Sequence, residues 1–260
     1  MRYIGSKRGI AHKIAPLMAH NRRAGQYFVE PFCGGANLTQ FMPNPRIAND
    51  LNPYVIALLC KMANGDFTGY PMITPDEYAA MRKNPELFDK AAVGFYSTQM
   101  TFAAQYFGTW FCTDDVHLQR GIRNCLHKAP RLRGVEFFSR DYRAVPIPER
   151  SIIYCDPPYL GTFQHYGSVH WKQNERNAFF EWARDMSDNG HDVFISEESA
   201  PDDWIPVFRR NQLRQINDNR KDVGVKQSVE NLFIHKNSAI RAELADFAAI
   251  AGATQSQLAL

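Results

Sequence analysis

Cysteine is scarce in this chain and poorly arranged for cross-linking. The 260 residues hold five, at positions 33, 60, 112, 125 and 155, an odd number with no C-x-x-C pair. That excludes a disulfide framework and offers no zinc ligand set, so no metal is expected. Long apolar runs are also missing. Apolar residues make up 45% of the chain, but no stretch approaches the roughly 18 residues a membrane span needs. The opening Met1-Arg2-Tyr3-Ile4-Gly5-Ser6-Lys7 is polar and basic, unlike a signal peptide. There is no internal repeat, and the net charge is only +3. The expectation is a soluble, cytoplasmic protein in a reducing compartment, long enough for one large α/β domain with an insertion.

The charge is unevenly spread. Residues 1–23 carry Arg2, Lys7, Arg8, Lys13, Arg22 and Arg23 and no acid. Residues 117–143 carry Arg120, Arg123, Lys128, Arg131, Arg133, Arg140 and Arg143 against Glu136 and Asp141. Residues 209–221 carry Arg209, Arg210, Arg214, Arg220 and Lys221 against Asp218. Three such segments suit a polyanion contacted from several directions, and equally an ordinary solvated surface.

Apolar runs at 27–29, 46–50, 135–138, 151–155, 192–195 and 231–234 predict strands. Helical periodicity follows the first run through Leu38 and Phe41, and returns at 53–63 and 175–187. Alternation of this kind implies a mostly parallel, Rossmann-like α/β sheet covered on both faces. Residues 66–133 break the rhythm. Thr74-Pro75-Asp76-Glu77 is a helix start, helical patterns cover about 86–100 and 115–128, and no strand intervenes. The chain therefore divides into residues 1–65 with 134–236, a helical insertion at 66–133, and a tail at 237–260 that is either an appended helix or a frayed end. The insertion is aromatic at its centre, with Phe95, Tyr96, Phe102, Tyr106, Phe107, Trp110 and Phe111, most of which a helical core would absorb.

Glu30-Pro31-Phe32-Cys33-Gly34-Gly35 forms a glycine turn after the first strand, where backbone can approach a ligand closely. Asp50 ends the second strand, the place from which an acid accepts hydrogen bonds from ribose hydroxyls. Asp50 also reads as a helix N-cap before Asn52-Pro53. The G-x-G-x-x-G of dinucleotide folds is absent. An adenosine ligand without pyrophosphate fits better, and S-adenosylmethionine is one. Ile152 to Cys155 then deliver Asp156-Pro157-Pro158-Tyr159. The prolines remove two N–H donors and end the strand, leaving carbonyl oxygens and a carboxylate, all acceptors. An exocyclic amino group is a double donor and suits such a wall, while Tyr159 offers a face for a stacked base. Acceptors off the base plane favour a pyramidal nitrogen, and transfer is an in-line displacement helped by positioning and electrostatics. No cysteine nucleophile is required.

With those motifs in place the chain resembles the Dam-type, α-group DNA adenine-N6 methyltransferases, particularly the small phage and prophage forms, over residues 1–236. Tyr3 to Lys7 resembles the family's N-terminal cofactor motif, Val29 to Gly35 its glycine motif, and Asp156 to Tyr159 its catalytic motif. Ser139-Arg140-Asp141-Tyr142 resembles its acid–aromatic pair, and Val193 to Glu197 a later strand motif that shapes the pocket. The resemblance implies a seven-stranded methyltransferase sheet, with the insertion as target-recognition domain. It implies S-adenosylmethionine held by Tyr3, Lys7, Glu30, Phe32, Gly34, Asp50, Asp141, Tyr142 and Asp156, and catalysis by Asp156, Pro157 and Tyr159 on a base flipped from double-stranded DNA. Arg120, Arg123, Lys128, Arg131 and Arg133, together with Lys7, are phosphate-contact candidates. Gln99 and Gln105 are candidate base readers, and His165 and Trp171 candidate clamps on the flipped base. The Asn-, Arg- and Gly-rich recognition hairpin of GATC-reading relatives is replaced by Ser97 to Trp110, so no target sequence carries over. Other readings compete: N4-cytosine methylation, whose motif usually has serine where Asp156 stands; RNA adenine or protein glutamine methylation; and a catalytically silent DNA-binding protein on the same fold.

Overall fold

A computed structural model describes residues 1–20, 22–112, 114–159, 171–216, 224–240 and 244. Five short strands run parallel: β1 (Phe28–Glu30), β2 (Arg46–Asn49), β3 (Val135–Phe138), β4 (Ile152–Cys155) and β5 (Asp192–Glu197). β1, β2, β4 and β5 are buried at every residue, as parallel strands covered on both faces must be, whereas β3 is part-exposed. β6 (Trp204–Ile216) and β7 (Gly224–His235) form a long antiparallel hairpin, and β7 docks antiparallel on β5. The order is β3-β2-β1-β4-β5-β7-β6, the seven-stranded Rossmann-like sheet expected. Strand order reverses between β1 and β4. Their carboxyl ends therefore open side by side at the crevice where ligands enter such sheets.

Strand alternation sorts the core into two layers. Phe28, Ile152, Tyr154 and Phe194 point to one face, against Ile14, Leu17 and Met18 of α1 (Ala11–Ala19). Val29, Ile153, Cys155, Val193 and Ile195 point to the other, against Phe179, Phe180 and Ala183 of α6 (Gln173–Asp188). Ile240 and Leu244 are buried in the first layer, and the rest of the tail from residue 245 lies outside the described residues.

A third cluster joins α2 (Pro53–Ala63) to the insertion. Val55, Leu58, Leu59 and Met62 pack with Val93, Phe95 and Tyr96 of α4 (Lys90–Gln99) and with Leu118, Ile122 and Cys125 of α5 (Asp115–Lys128). The insertion shares this core with α2. Its remaining helix, α3 (Pro75–Lys83), starts with a capping box between Thr74 and Glu77. Phe95 and Tyr96 are core residues, while Phe102 and Phe111 are exposed.

Two local expectations are corrected, and one strand was not foreseen. No α-helix follows the glycine turn; among the described residues that stretch holds only a 3-10 turn at Thr39–Phe41. Gly34 and Ala36 take positive φ, and Pro43 and Pro45 follow within a few residues, so α-helix cannot propagate. The N-cap of α2 is Asn52, whose side chain accepts from the amides of Tyr54 and Val55, and not Asp50. β6 is the unforeseen strand: from Arg209 to Ile216 only Leu213 and Ile216 are apolar, too few for an apolar run.

α4 and α2 meet backbone to backbone at Gly94. A Cβ there would sit 2.2 Å from the Tyr54 carbonyl oxygen and 3.1 Å from Leu58 Cβ. Gly94→Ala gains about 1 kcal/mol of helix propensity but forces the helices apart. We expect a net loss of about 1–2 kcal/mol in urea unfolding; an unchanged midpoint would mean that the two helices separate freely.

Candidate active site

Asp156, Pro157, Pro158 and Tyr159 continue from β4 at the carboxyl edge, beside Glu30 at the end of β1. At their centre is the Lys7 ammonium. It lies 2.8 Å from Asp156 Oδ1 and 3.1 Å from Glu230 Oε1, and donates to the Tyr159 hydroxyl at 2.9 Å. Two carboxylates and a phenolic hydroxyl thus surround one ammonium, Glu230 as an ion-pair partner. Burial works against the Lys7 charge, but Asp156, Tyr154 and Glu230 outweigh it and raise its pKa. Burial pushes the Asp156 carboxyl up to about 6; Lys7 and a bond from Tyr159 pull it down, and Glu230 adds to the rise. Burial likewise lifts Glu30 to about 8 despite bonds from the Thr39 amide and hydroxyl, so this acid is mostly protonated at neutral pH. Glu197, at the end of β5, is lifted to about 7 by the same cause, with Arg176 nearby.

The glycine turn is built against the N-terminal segment. Gly34 has φ +47°, and a Cβ on it would meet the Tyr3 ring at 2.6 Å, so only glycine fits there. The Gly34 amide donates to Asp50 Oδ2 and the Asn52 amide to Asp50 Oδ1, each at 2.9 Å. Each oxygen keeps acceptor capacity for a further donor. Phe32, Tyr142 and Trp171 form an aromatic wall, with Phe32 5.2 Å from Tyr142 and 6.0 Å from Trp171 between ring centroids. The Asp141 carboxylate is exposed and held by Arg143 through two bonds of 2.7 and 2.8 Å. All of these line one cavity of about 1220 Å³, which runs from the glycine turn past Asp156 to Tyr54 and Tyr106.

The fit to S-adenosylmethionine can be judged from this chemistry. The Asp50 carboxylate, with acceptor capacity to spare, suits ribose hydroxyls, an aromatic wall suits an adenine ring, and a glycine admits close backbone approach. The ionised Asp156 suits a sulfonium. The donor set fits.

The structure gathers Tyr3, Lys7, Glu30, Phe32, Gly34, Asp50, Asp141, Tyr142, Asp156, Pro157 and Tyr159 around this cavity. Three polyanion-side expectations are corrected. The Lys7 side chain is 10% exposed, paired with Asp156 and Glu230 and bonded to Tyr159, so its charge is spent inside the protein and not on a phosphate. Gln99 is buried and pairs with the Arg2 backbone through both amide atoms, at 2.9 Å each, so it cannot read a base. Lys128 is buried and donates to the Gly35 carbonyl and to Asn37 Oδ1, while Asn37 donates to the Ser6 hydroxyl. Arg120, Arg123, Arg131 and Arg133 are exposed, and Gln105 is half-buried. Trp171 stands in the aromatic wall, and His165 lies outside the described residues. Glu230 escaped sequence reading altogether. Its only signal was a single acid in a basic, strand-like stretch.

Burial separates Lys128 from its neighbours on α5 in a measurable way. Lys128→Met removes the donor from two buried acceptors and should cost about 1–3 kcal/mol in chemical denaturation. Arg120→Gln should stay within about 0.5 kcal/mol. Equal, silent behaviour of the two variants would remove Lys128 from its structural place.

A family model described as D12 class N6 adenine-specific DNA methyltransferase matches residues 3–107 and 115–216. Among solved structures, the chain is similar to the 23S rRNA methyltransferase ErmE at 11% identity and a TM-score of 0.36, over 96% of this chain and 78% of that one. That likeness is too slight to inform the site. The family match spans most of the sequence and both halves of the cavity, and the chain belongs to the D12 class N6 adenine-specific DNA methyltransferase family.

Proposed function

We propose that the chain methylates the N6 amino group of an adenine flipped out of double-stranded DNA, using S-adenosylmethionine bound between the glycine turn and Asp156. The observation that carries this reading is the Asp156 carboxylate, fixed by Lys7 and Tyr159 beside two prolines at the switch point of the sheet. Asp50 would accept the ribose hydroxyls, Phe32 and Tyr142 would flank the cofactor's adenine with Asp141 beside it, and Tyr3 would close the glycine turn. The bound cofactor supplies an electrophilic methyl group on a sulfonium, with a neutral thioether as leaving group.

The protein's own work is positional. A carboxylate has about four acceptor sites, and Lys7 and Tyr159 occupy two of those on Asp156. The remaining ones, with the carbonyls of the proline turn, accept from the target amino group and aim its lone pair at the methyl carbon. As the N–C bond forms, the nitrogen becomes acidic. A carboxylate with a pKa near 6 can accept its surplus proton directly or through water. Tyr159 provides a face for the flipped base, and stacking returns roughly 1–3 kcal/mol of the cost of extrusion. Aspartate at position 156, in place of serine, favours adenine over cytosine N4.

Labelled cofactor, DNA and nucleoside analysis test the reading. The expected product is N6-methyladenine; N4-methylcytosine, or no DNA product, would overturn it. Asp156→Ala should lower transfer by about a thousandfold or more while cofactor affinity stays within a few-fold. Retained transfer would strip Asp156 of its role.

Exposed Arg120, Arg123, Arg131 and Arg133 are the proposed phosphate contacts of the insertion. Each contact neutralised to glutamine should reduce the slope of log affinity against log salt by about 0.9. An unaltered slope in the fourfold variant would place the DNA elsewhere.

A further inference from the structure

Lys7 is shared between two carboxylates, and only one of them belongs to the catalytic motif. Glu230 lies on β7, opposite Arg210 in the hairpin register and one residue before Asn231, which pairs with Glu197 of β5. Its side chain is buried, at 4% exposure, and meets the same ammonium as Asp156. We propose that Glu230 is a positioning residue for methyl transfer: its carboxylate pairs with the Lys7 ammonium and so prevents that ammonium from fully neutralising Asp156. The inference rests on the methyl-transfer reading given above.

The chemistry runs as follows. A lysine paired with a single aspartate in a buried site draws electron density from it and weakens it as an acceptor. With a second carboxylate on the cation's other side, the cluster of Asp156, Lys7 and Glu230 carries one net negative charge. That charge stays on the face that receives an amino group and its departing proton. On proton uptake the cluster becomes neutral, a favourable change in a buried setting. Tyr159 closes the arrangement, accepting from Lys7 and donating to Asp156. Glu230 touches neither the target base nor the reacting atoms in this scheme, and acts through Lys7.

Other groups around Asp156 set a background that Glu230 modulates. Tyr154 and Cys155 precede it on β4 and are buried thiol and phenol groups held neutral. Glu30 approaches from β1 and Glu197 from β5. Arg210 faces the Glu230 position across the hairpin, and its guanidinium packs against Gly9. Lys7 is the cation that bridges Asp156 and Glu230.

The decisive measurement titrates Asp156 directly. With carboxyl-labelled aspartate, and Asp156→Asn to assign the resonance, the wild-type signal should titrate near pH 6. In Glu230→Gln it should move down by about one pH unit, because a like charge is gone and Lys7 turns wholly to Asp156. Glu230→Asp keeps the charge and should leave the midpoint near its original place. The acid limb of the pH–kcat profile should follow the same displacements. Plateau kcat in Glu230→Gln should fall about tenfold, less than the hundredfold or more expected of a lost direct contact, with KM for DNA and cofactor within about twofold. A purely structural Glu230 would lower activity without moving the Asp156 titration, and that result, or an upward move, would overturn the proposal. If Glu230→Gln does not fold, Lys7→Gln serves in its place: Asp156 should then titrate higher, and an unmoved midpoint would equally overturn the shared-cation arrangement. Because the titration needs no substrate, its failure is distinct from absence of DNA methylation by the wild type, which would instead remove the underlying functional reading.

Discussion

The structure depends on one buried ammonium. Removing a lysine head from water is costly unless it finds partners, and Lys7 finds three: Asp156 and Tyr159 on the turn after β4, and Glu230 on β7. The arrangement works in both directions. Without the cation, Asp156 and Glu230 would be two desolvated like charges in close quarters, and one would have to take up a proton. Without the carboxylates, the ammonium would be buried with only the Tyr159 hydroxyl as partner. The acid of the catalytic motif is therefore kept ionisable, near pH 6, by a residue some 150 positions earlier in the chain.

The same segment is fastened at two further points. Gln99 of α4 grips the Arg2 backbone, and Lys128 of α5 holds Asn37, which in turn holds Ser6. Residues 2–7 thus form a strap tied to the insertion at one end, to the glycine turn in the middle and to the catalytic acid at the other. Side chains whose type suggested contact with DNA are consumed in this stitching. The physical reason is plain: a strap of irregular backbone laid across a sheet edge exposes amides and carbonyls that strands cannot satisfy, and long polar side chains are what reach them.

Legibility from sequence followed the same division. Strands buried on both faces announce themselves by continuous apolar runs, and β1, β2, β4 and β5 were visible for that reason. The catalytic turn was visible because two prolines after an acid exclude ladder hydrogen bonding. The helix expected after Gly35 was misread because apolar spacing at Leu38 and Phe41 does not fix backbone conformation: Leu38 is buried, Phe41 is exposed, and positive φ at Ala36 ends any helix. β6 was hidden because its outer half pairs only with β7, leaving no sheet face to demand apolar residues. Glu230 was hidden for a deeper reason. Its meaning lies in Lys7, more than 200 residues away, and no local pattern records a long-range pair.

The shared core between α2 and the insertion has a consequence for how recognition and chemistry are joined. Gly94 of α4 lies against the Tyr54 carbonyl, and Tyr54 itself lines the cavity together with Asn52 and Pro53. Tyr106, from the insertion, reaches the same wall. Close-packed interiors do not deform continuously, so the insertion cannot tilt without carrying the start of α2 with it. Asp50 is bonded to the Asn52 amide, and through its other oxygen to Gly34. A displacement of α2 would therefore reach the proposed ribose site before it reached Asp156, which is anchored separately by Lys7. The proposed reacting acid and the proposed cofactor cradle are thus held by different fastenings. The cradle meets the insertion through α2, whereas Asp156 meets it through Lys7 and the strap that Gln99 ties to α4.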